Sequence, residues 1–174
     1  KDLTQGKITP LLVKFTIPLL FGNIFQLMYN SVDSIIVGQL VGKEALAAVG
    51  TSNPLMTLAI LFVNGMCIGA SILMGTQYGA KKMDVLKRQI STTMIAGIVF
   101  SITVTLFCIL FARPLLLLIR VQEEVLPLAV PYLRIVFLGF IFTFIYNFFA
   151  CTLRALGDST TPLYFLVASS VLNI

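Results

Sequence analysis

Long apolar runs, interrupted by short charged or turn-forming stretches, dominate this chain. A helix needs about 20 such residues to cross roughly 30 Å of hydrocarbon. The pattern predicts four complete spans, from about Leu11 to Leu40, Ser52 to Tyr78, Ile90 to Phe111 and Leu126 to Leu153. A fifth begins near Pro162 and is still apolar at Ile174, where at about 1.5 Å per residue it has covered only about 20 Å. That shortfall, with a first residue that is Lys1 rather than Met, leads to the expectation that residues 1–174 are one transmembrane region cut within its fifth span. Pro18 removes a backbone bond inside the first span and predicts a kink there. Gly42, Lys43 and Glu44 turn the chain, and Lys81 to Arg88 form the most polar loop. The run Pro114 to Ile119 is expected to lie along the membrane surface.

The polar positions inside the runs carry the candidate chemistry. Asp33 is a lone carboxylate between Phe15 and Leu40, and a charge at mid-membrane costs about 2.5 to 3.5 kcal/mol on insertion scales. Such a group usually faces a cavity or a partner. At about 100° per residue, Asn23, Gln26, Asn30, Asp33 and Ser34 share an arc of roughly 100°, so the first span presents a polar stripe. Tyr132, Thr143 and Asn147 of the fourth span come within roughly 60° on an unbroken helix. Ser169 and Asn173 lie four apart in the fifth. Three spans with polar faces point to a shared hydrated cavity, against the plainer reading of hydrogen bonds that hold the bundle together. Asn64, in the second span, fits either reading.

Small residues at intervals of four mark close helix packing: Gly65 with Gly69, Gly75 with Gly79, and Gly97 with Ser101 and Thr105. Composition agrees with a membrane protein. Hydrophobic residues make up 58% and charged residues 11%, against roughly 25% charged in soluble domains, and mean hydropathy is +1.00. The net charge of +5 is dispersed between the spans and forms no basic, aromatic-interleaved patch for nucleic acid. Cys67, Cys108 and Cys151 sit in apolar segments without metal-ligand spacing, and the chain has no His, so they read as packing residues and no metal site is expected.

These features converge on a family. Pro18 and Asp33 in the first span, GKEALAAVG from Gly42 to Gly50, GTQYGAKK from Gly75 to Lys82, and LRALGDSTTP from Leu153 to Pro162 together resemble the multidrug and toxic compound extrusion (MATE) transporters. The likeness is greatest to the prokaryotic branch that includes the DNA-damage-inducible protein F group. It covers the whole chain and implies an all-α integral membrane protein: part of the first six-helix lobe of a twelve-helix transporter, with the C-terminal lobe as its partner in the same polypeptide. It also implies antiport rather than catalysis, exporting organic, often cationic compounds against H⁺ or Na⁺, with no other cofactor. On this resemblance Asp33, Tyr132, Asn147 and Asn173 would form the cation site and Pro18 the hinge. Gln26, Asn30 and Asn64 are assigned to the substrate-lining surface.

Two other classes compete with this reading. A lipid-linked precursor flippase of the same superfamily would need basic residues in the cavity to hold a pyrophosphate, for which only Arg134 is a candidate. An intramembrane aspartyl protease would need two facing carboxylates, and Gly157-Asp158 is similar to its Gly-Asp element.

Loop charges orient the spans. With alternating loops, Lys1, Lys7, Lys14, Lys81, Lys82, Lys87, Arg88 and Arg154 fall on one side, and only Lys43, Arg113 and Arg120 on the other. The positive-inside rule makes the first side, with the N-terminus, cytoplasmic. A single cysteine at position 84, in a protein lacking its native cysteines, is therefore expected to resist a membrane-impermeant thiol reagent in intact cells, while one at position 43 is labelled. The reverse pattern overturns the orientation.

Overall fold

The structure, a computed structural model, describes residues 8–40 and 42–173; the side chains of residues 8, 14, 33, 34, 37, 40, 44, 45 and 171–173 fall outside the description. Helices account for nearly all of it: α1 (Ile8–Leu40), α2 (Lys43–Gly79), α3 (Met83–Leu110), α4 (Ala112–Leu118), α5 (Leu126–Leu138), α6 (Phe140–Ala155) and α7 (Thr160–Asn173), with no strand among the described residues. Three are long and apolar enough to cross a membrane, over Thr9–Val32, Leu46–Gly79 and Met83–Leu110, and α5 with α6 makes a fourth candidate if the bent pair is one span.

Two expectations change. The stretch from Gly42 to Gly50 is not a turn: helix resumes at Lys43, nine residues before the predicted Ser52. Ala45, Leu46, Ala47 and Ala48 are strong helix formers, and Gly42 just before them takes φ 106°, which glycine adopts at low cost. The fourth span is not one straight helix either. It breaks at Gly139, where α5 and α6 meet at 42°.

Three helix ends close in the same way. After α2, the amides of Lys81 and Lys82 donate to the carbonyls of Tyr78 and Gln77; after α4, those of Arg120 and Val121 donate to Leu117 and Leu116; after α6, those of Gly157 and Asp158 donate to Arg154 and Leu153. This paired pattern requires a left-handed residue, supplied by Lys81 (φ 57°), Arg120 (φ 59°) and Gly157 (φ 87°). The apolar contact that accompanies the motif is present after α4, where Val121 and Leu116 are both buried.

The chain forms two compact units, one of Lys1–Val32, Cys67–Thr93 and Asn147–Ile174, the other of Asp33–Met66 and Met94–Tyr146. In the second unit, α3 packs antiparallel to α5 and α6. A Cβ on Gly97 would overlap the Phe144 ring, Thr105 Oγ1 donates to the Phe137 carbonyl at 3.0 Å, and Arg134 Nε donates to the Ile109 carbonyl at 3.2 Å. As the α3 number rises from 97 to 105 to 109, its partner falls from 144 to 137 to 134, so the register holds across the break. Phe137, Leu133 and Ala129 are buried along α5, and Phe140 and Phe144 continue the column on α6. Ala112 and Leu116 bury one side of α4 against α5, while Leu117 and Leu118 stay exposed, so the helix expected along the membrane surface is half embedded in protein.

In the first unit, α2 and α6 run parallel. Thr152 Oγ1 lies 3.7 Å from the Met74 sulfur, and the Cβ position of Gly75 lies 3.6 Å from the Ala155 carbonyl oxygen. Gly22 of α1 faces Leu163 and Leu166 of α7. Cys67 and Cys108 are buried and Cys151 half-buried, all as free thiols.

The small-residue signals divide. Gly97, Ser101 and Thr105 line the packed seam. Gly65 and Gly69 are exposed, and a Cβ on either meets nothing within 4 Å, so among the described residues they receive no helix. Gly97→Ala is expected to lower the stability of the intact protein by about 1 to 3 kcal/mol, because the Phe144 ring is enclosed and cannot swing aside. Gly69→Ala is expected to leave it unchanged or slightly higher. Thermal unfolding of the purified protein in detergent checks both, and equal midpoints for the two variants would remove the Gly97 notch as a packing determinant.

Candidate functional site

The site is built on α1. Asn23, Gln26 and Asn30 are exposed on one arc of it. Opposite, at about 100° per residue, stand Ile17, Phe21, Phe25, Met28, Val32 and Ile35, all exposed as well. In a bilayer these two faces require different surroundings. The apolar arc suits lipid, whereas amides left in hydrocarbon without partners are costly, so their arc must meet water or protein. Gly22 carries the α7 contact at the border of the amide arc. The helix continues through Pro18, which is half-buried.

Asp33 lies in α1 and Asn173 ends α7; the side chains of both fall outside the described residues. Tyr132 on α5 and Asn147 on α6 are half-buried, and each is engaged by a partner, as is Asn30. Asn64 is half-buried on α2. Asp33, Asn64 and Tyr132 belong to the second compact unit, and Pro18, Gln26, Asn30, Asn147 and Asn173 to the first. Tyr132 and Asn147 lie on either side of the 42° bend at Gly139, which the count along one straight helix did not include. Thr143 and Asn147, both on α6, still share a face.

Pattern reading passed over Tyr29 and Tyr146, which are also engaged by partners. Tyr29 adjoins Asn30 at the edge of the stripe, a signal that was available; Tyr146 looked like one more apolar aromatic.

Arg134 and Asp158 both have structural work. Arg134, through its bond to the Ile109 carbonyl, satisfies an acceptor in the last turn of α3. Asp158 caps the first turn of α7: one carboxylate oxygen accepts from the amides of Thr160 and Thr161 at 3.0 and 3.1 Å, and the other from the Thr161 hydroxyl at 2.6 Å. The Thr161 hydroxyl and then its amide hold this carboxyl below its ordinary range. A carboxylate used in this way in a loop is a helix cap, not half of a protease dyad.

Long apolar helices, one of them with a polar stripe, are features shared with membrane transport proteins. The family model MatE matches residues 18–174. The chain belongs to the MatE family. Among its relatives in Bacillus subtilis (strain 168), the probable multidrug resistance protein YoeA is 35% identical over 176 residues, covering 99% of this chain and 38% of that protein. The probable multidrug resistance protein YpnP is 34% identical over 172 residues, covering 99% and 39%. Of the solved structures, the outward-facing conformation of a multidrug resistance MATE family transporter of the MOP superfamily superposes with a TM-score of 0.88 at 27% identity, covering 98% of this chain and 38% of that chain. This MatE chain thus spans about two-fifths of the length of the curated relatives it matches. It matches the N-terminal half of MATE transporters, and family members are multi-pass membrane transporters, not enzymes.

The Asp158 cap gives a test of the α6–α7 junction in this MatE protein. Asp158→Ala is expected to cost about 1 kcal/mol. Because the folded carboxyl sits below its ordinary value, its contribution is present above about pH 4, near the unfolded value, and is lost as pH falls through the folded one. Asp158→Asn should keep part of the cap and lose that pH dependence. Unfolding midpoints of the three proteins at pH 7 and near pH 3 check this; a wild-type midpoint no more acid-sensitive than that of Asp158→Asn would contradict it.

Proposed function

We propose that the intact protein is a multidrug efflux antiporter, which exports organic, often cationic compounds in exchange for inward H⁺ or Na⁺, with Asp33 as the group that holds the coupling ion. The carrying observation is the two-faced α1, with an exposed amide arc opposite an exposed apolar arc on a MatE helix that also bears a carboxylate. The names of YoeA and YpnP as probable multidrug resistance proteins support the substrate class.

Asp33 offers a carboxylate and Asn173 an amide as oxygen ligands to sodium, and the carboxylate alone can take a proton. Tyr132 and Asn147 complete the set in this reading, while Gln26, Asn30 and Asn64 line the drug path and Pro18 lets α1 bend. Moving one charge through about 100 mV supplies about 2.3 kcal/mol, enough to bias a two-state lobe. Drug and cation compete for the outward-open cavity, so loading one releases the other. The basic-lined cavity of a flippase finds no support in Arg134, whose bond is to α3. The N-terminus is cytoplasmic in this scheme.

Asp33→Asn keeps shape and hydrogen bonding but can neither exchange a proton nor offer a negative charge. In the intact protein it is expected to leave expression near normal and to reduce gradient-driven export at least about tenfold, while Asn147→Ala weakens coupling less, by the worth of one hydrogen bond, about 1 kcal/mol. The measurement is export from proteoliposomes under an imposed H⁺ or Na⁺ gradient. Wild-type export by Asp33→Asn under both gradients would make Asp33 a structural residue and sink the mechanism.

A further inference from the structure

At the end of the first unit where α2 and α6 both stop, positive charge is left over. Gly75 lies against the Ala155 carbonyl, so the last turns of the two helices are neighbours. Lys81 and Lys82 follow α2, Lys87 and Arg88 sit in the first turns of α3, and Arg154 lies in the last turn of α6; all five are exposed. Among the described residues none of them is in an ion pair, and two carboxylates, Asp84 and Asp158, share that end. Asp158 is already occupied by the amides and hydroxyl that begin α7. Five cations against two anions leave an excess of three. Along α4 and its connector to α5 the balance differs: Arg113 and Arg120 are matched by Glu123 and Glu124.

Backbone and phase sharpen the picture. Lys81 takes the left-handed conformation at φ 57°, where Gly is the low-cost choice, so the position bears a backbone cost to keep a long cationic side chain. On α3, Leu86 is buried, and Lys87 and Arg88 point about 100° and 160° away from it, off the packed side of the helix. Met83 and Val85 are exposed beside them, as are Ile72 and Leu73 on α2. Cations next to exposed apolar side chains, at the end of membrane helices, match the two parts of a phospholipid: an anionic head and the upper part of its acyl chains.

We propose that this end of the first unit is a binding surface for anionic phospholipid, with the phosphodiester held by Lys81, Lys82, Lys87 and Arg88. The proposal goes beyond the efflux reading and does not depend on it, because no residue of the cation site takes part. Each cation near an anionic surface is worth about a fivefold preference, and a guanidinium beside ammonium groups favours a phosphate over a zwitterionic head whose own ammonium opposes binding.

The test uses the intact protein, delipidated in detergent and offered phosphatidylglycerol and phosphatidylcholine at equal mole fraction, with retained lipid counted by native mass spectrometry. Wild type is expected to retain phosphatidylglycerol at least about tenfold over phosphatidylcholine, in a salt-sensitive manner. The variant with Lys81→Gln, Lys82→Gln, Lys87→Gln and Arg88→Gln should fall close to parity, and Arg113→Gln with Arg120→Gln should match wild type. If the fourfold variant does not give a monodisperse protein, Lys82→Gln with Arg88→Gln takes its place, with an expected loss of several-fold. Equal retention of the two lipids by wild type, or equal phosphatidylglycerol retention by wild type and variant, overturns the proposal. So does failure of wild type to retain any lipid, the result if another part of the protein covers this face.

Discussion

The seating of the Phe144 ring in the notch at Gly97 is the contact on which the second unit depends. In a bilayer the lipid tails are as apolar as the side chains, so burial in lipid gives helices no reason to associate, and close van der Waals fit must do so. α3 offers a line of small residues, and α5 and α6 offer a column of buried phenylalanines. Bulk on one side and its absence on the other let the backbones approach closely enough for Thr105 to reach the Phe137 carbonyl. That carbonyl lies two residues before Gly139, where the helix breaks. A break exposes backbone groups that hydrocarbon cannot satisfy, and a neighbouring threonine is one of the few available partners. Packing and polar satisfaction therefore come from the same seam, and the constant register across the bend is their joint product.

How much of this could be read from the chain depends on which property the membrane leaves informative. Span positions follow from hydrocarbon thickness and were legible, because charges and turn residues must leave the core. The packed face of α3 was legible through residue size: Gly97, Ser101 and Thr105 face inward, whereas Ile95, Val99, Ile102 and Leu106 are exposed. The same reasoning misread Gly65 and Gly69, since spacing shows that a helix could approach and not that one does. The Gly139 break was not legible. A single glycine among apolar residues is common in membrane helices, and nothing local separates one that bends from one that does not. For the candidate site, the count from Tyr132 to Asn147 runs through this bend.

The helix ends show where local rules were sufficient. LRALGDSTTP encodes a stop and a start within ten residues: Gly157 takes the left-handed position that ends α6, and Asp158 gathers the first amides of α7. The motif that supports the family resemblance is thus a junction, and its acidic residue serves the backbone. Asp33 stands out in the sequence for a different reason, as a lone carboxylate in an apolar run.

The fixed register between α3 and the α5–α6 pair also sets where the chain can change length. One residue added between Gly97 and Thr105 would turn all that follows on α3 by about 100° and lift it by about 1.5 Å. Branched side chains would then face the phenylalanine column, and the Phe137 carbonyl would lose its donor. Among the described residues, the connector from Ile119 to Val125 is held by the cap at Arg120 and by the buried Val121 and Val125, and not by a notch of the Gly97 kind. Insertions and deletions should therefore accumulate around Gln122 to Glu124, and a homologue's loop length there carries little information about its transport chemistry.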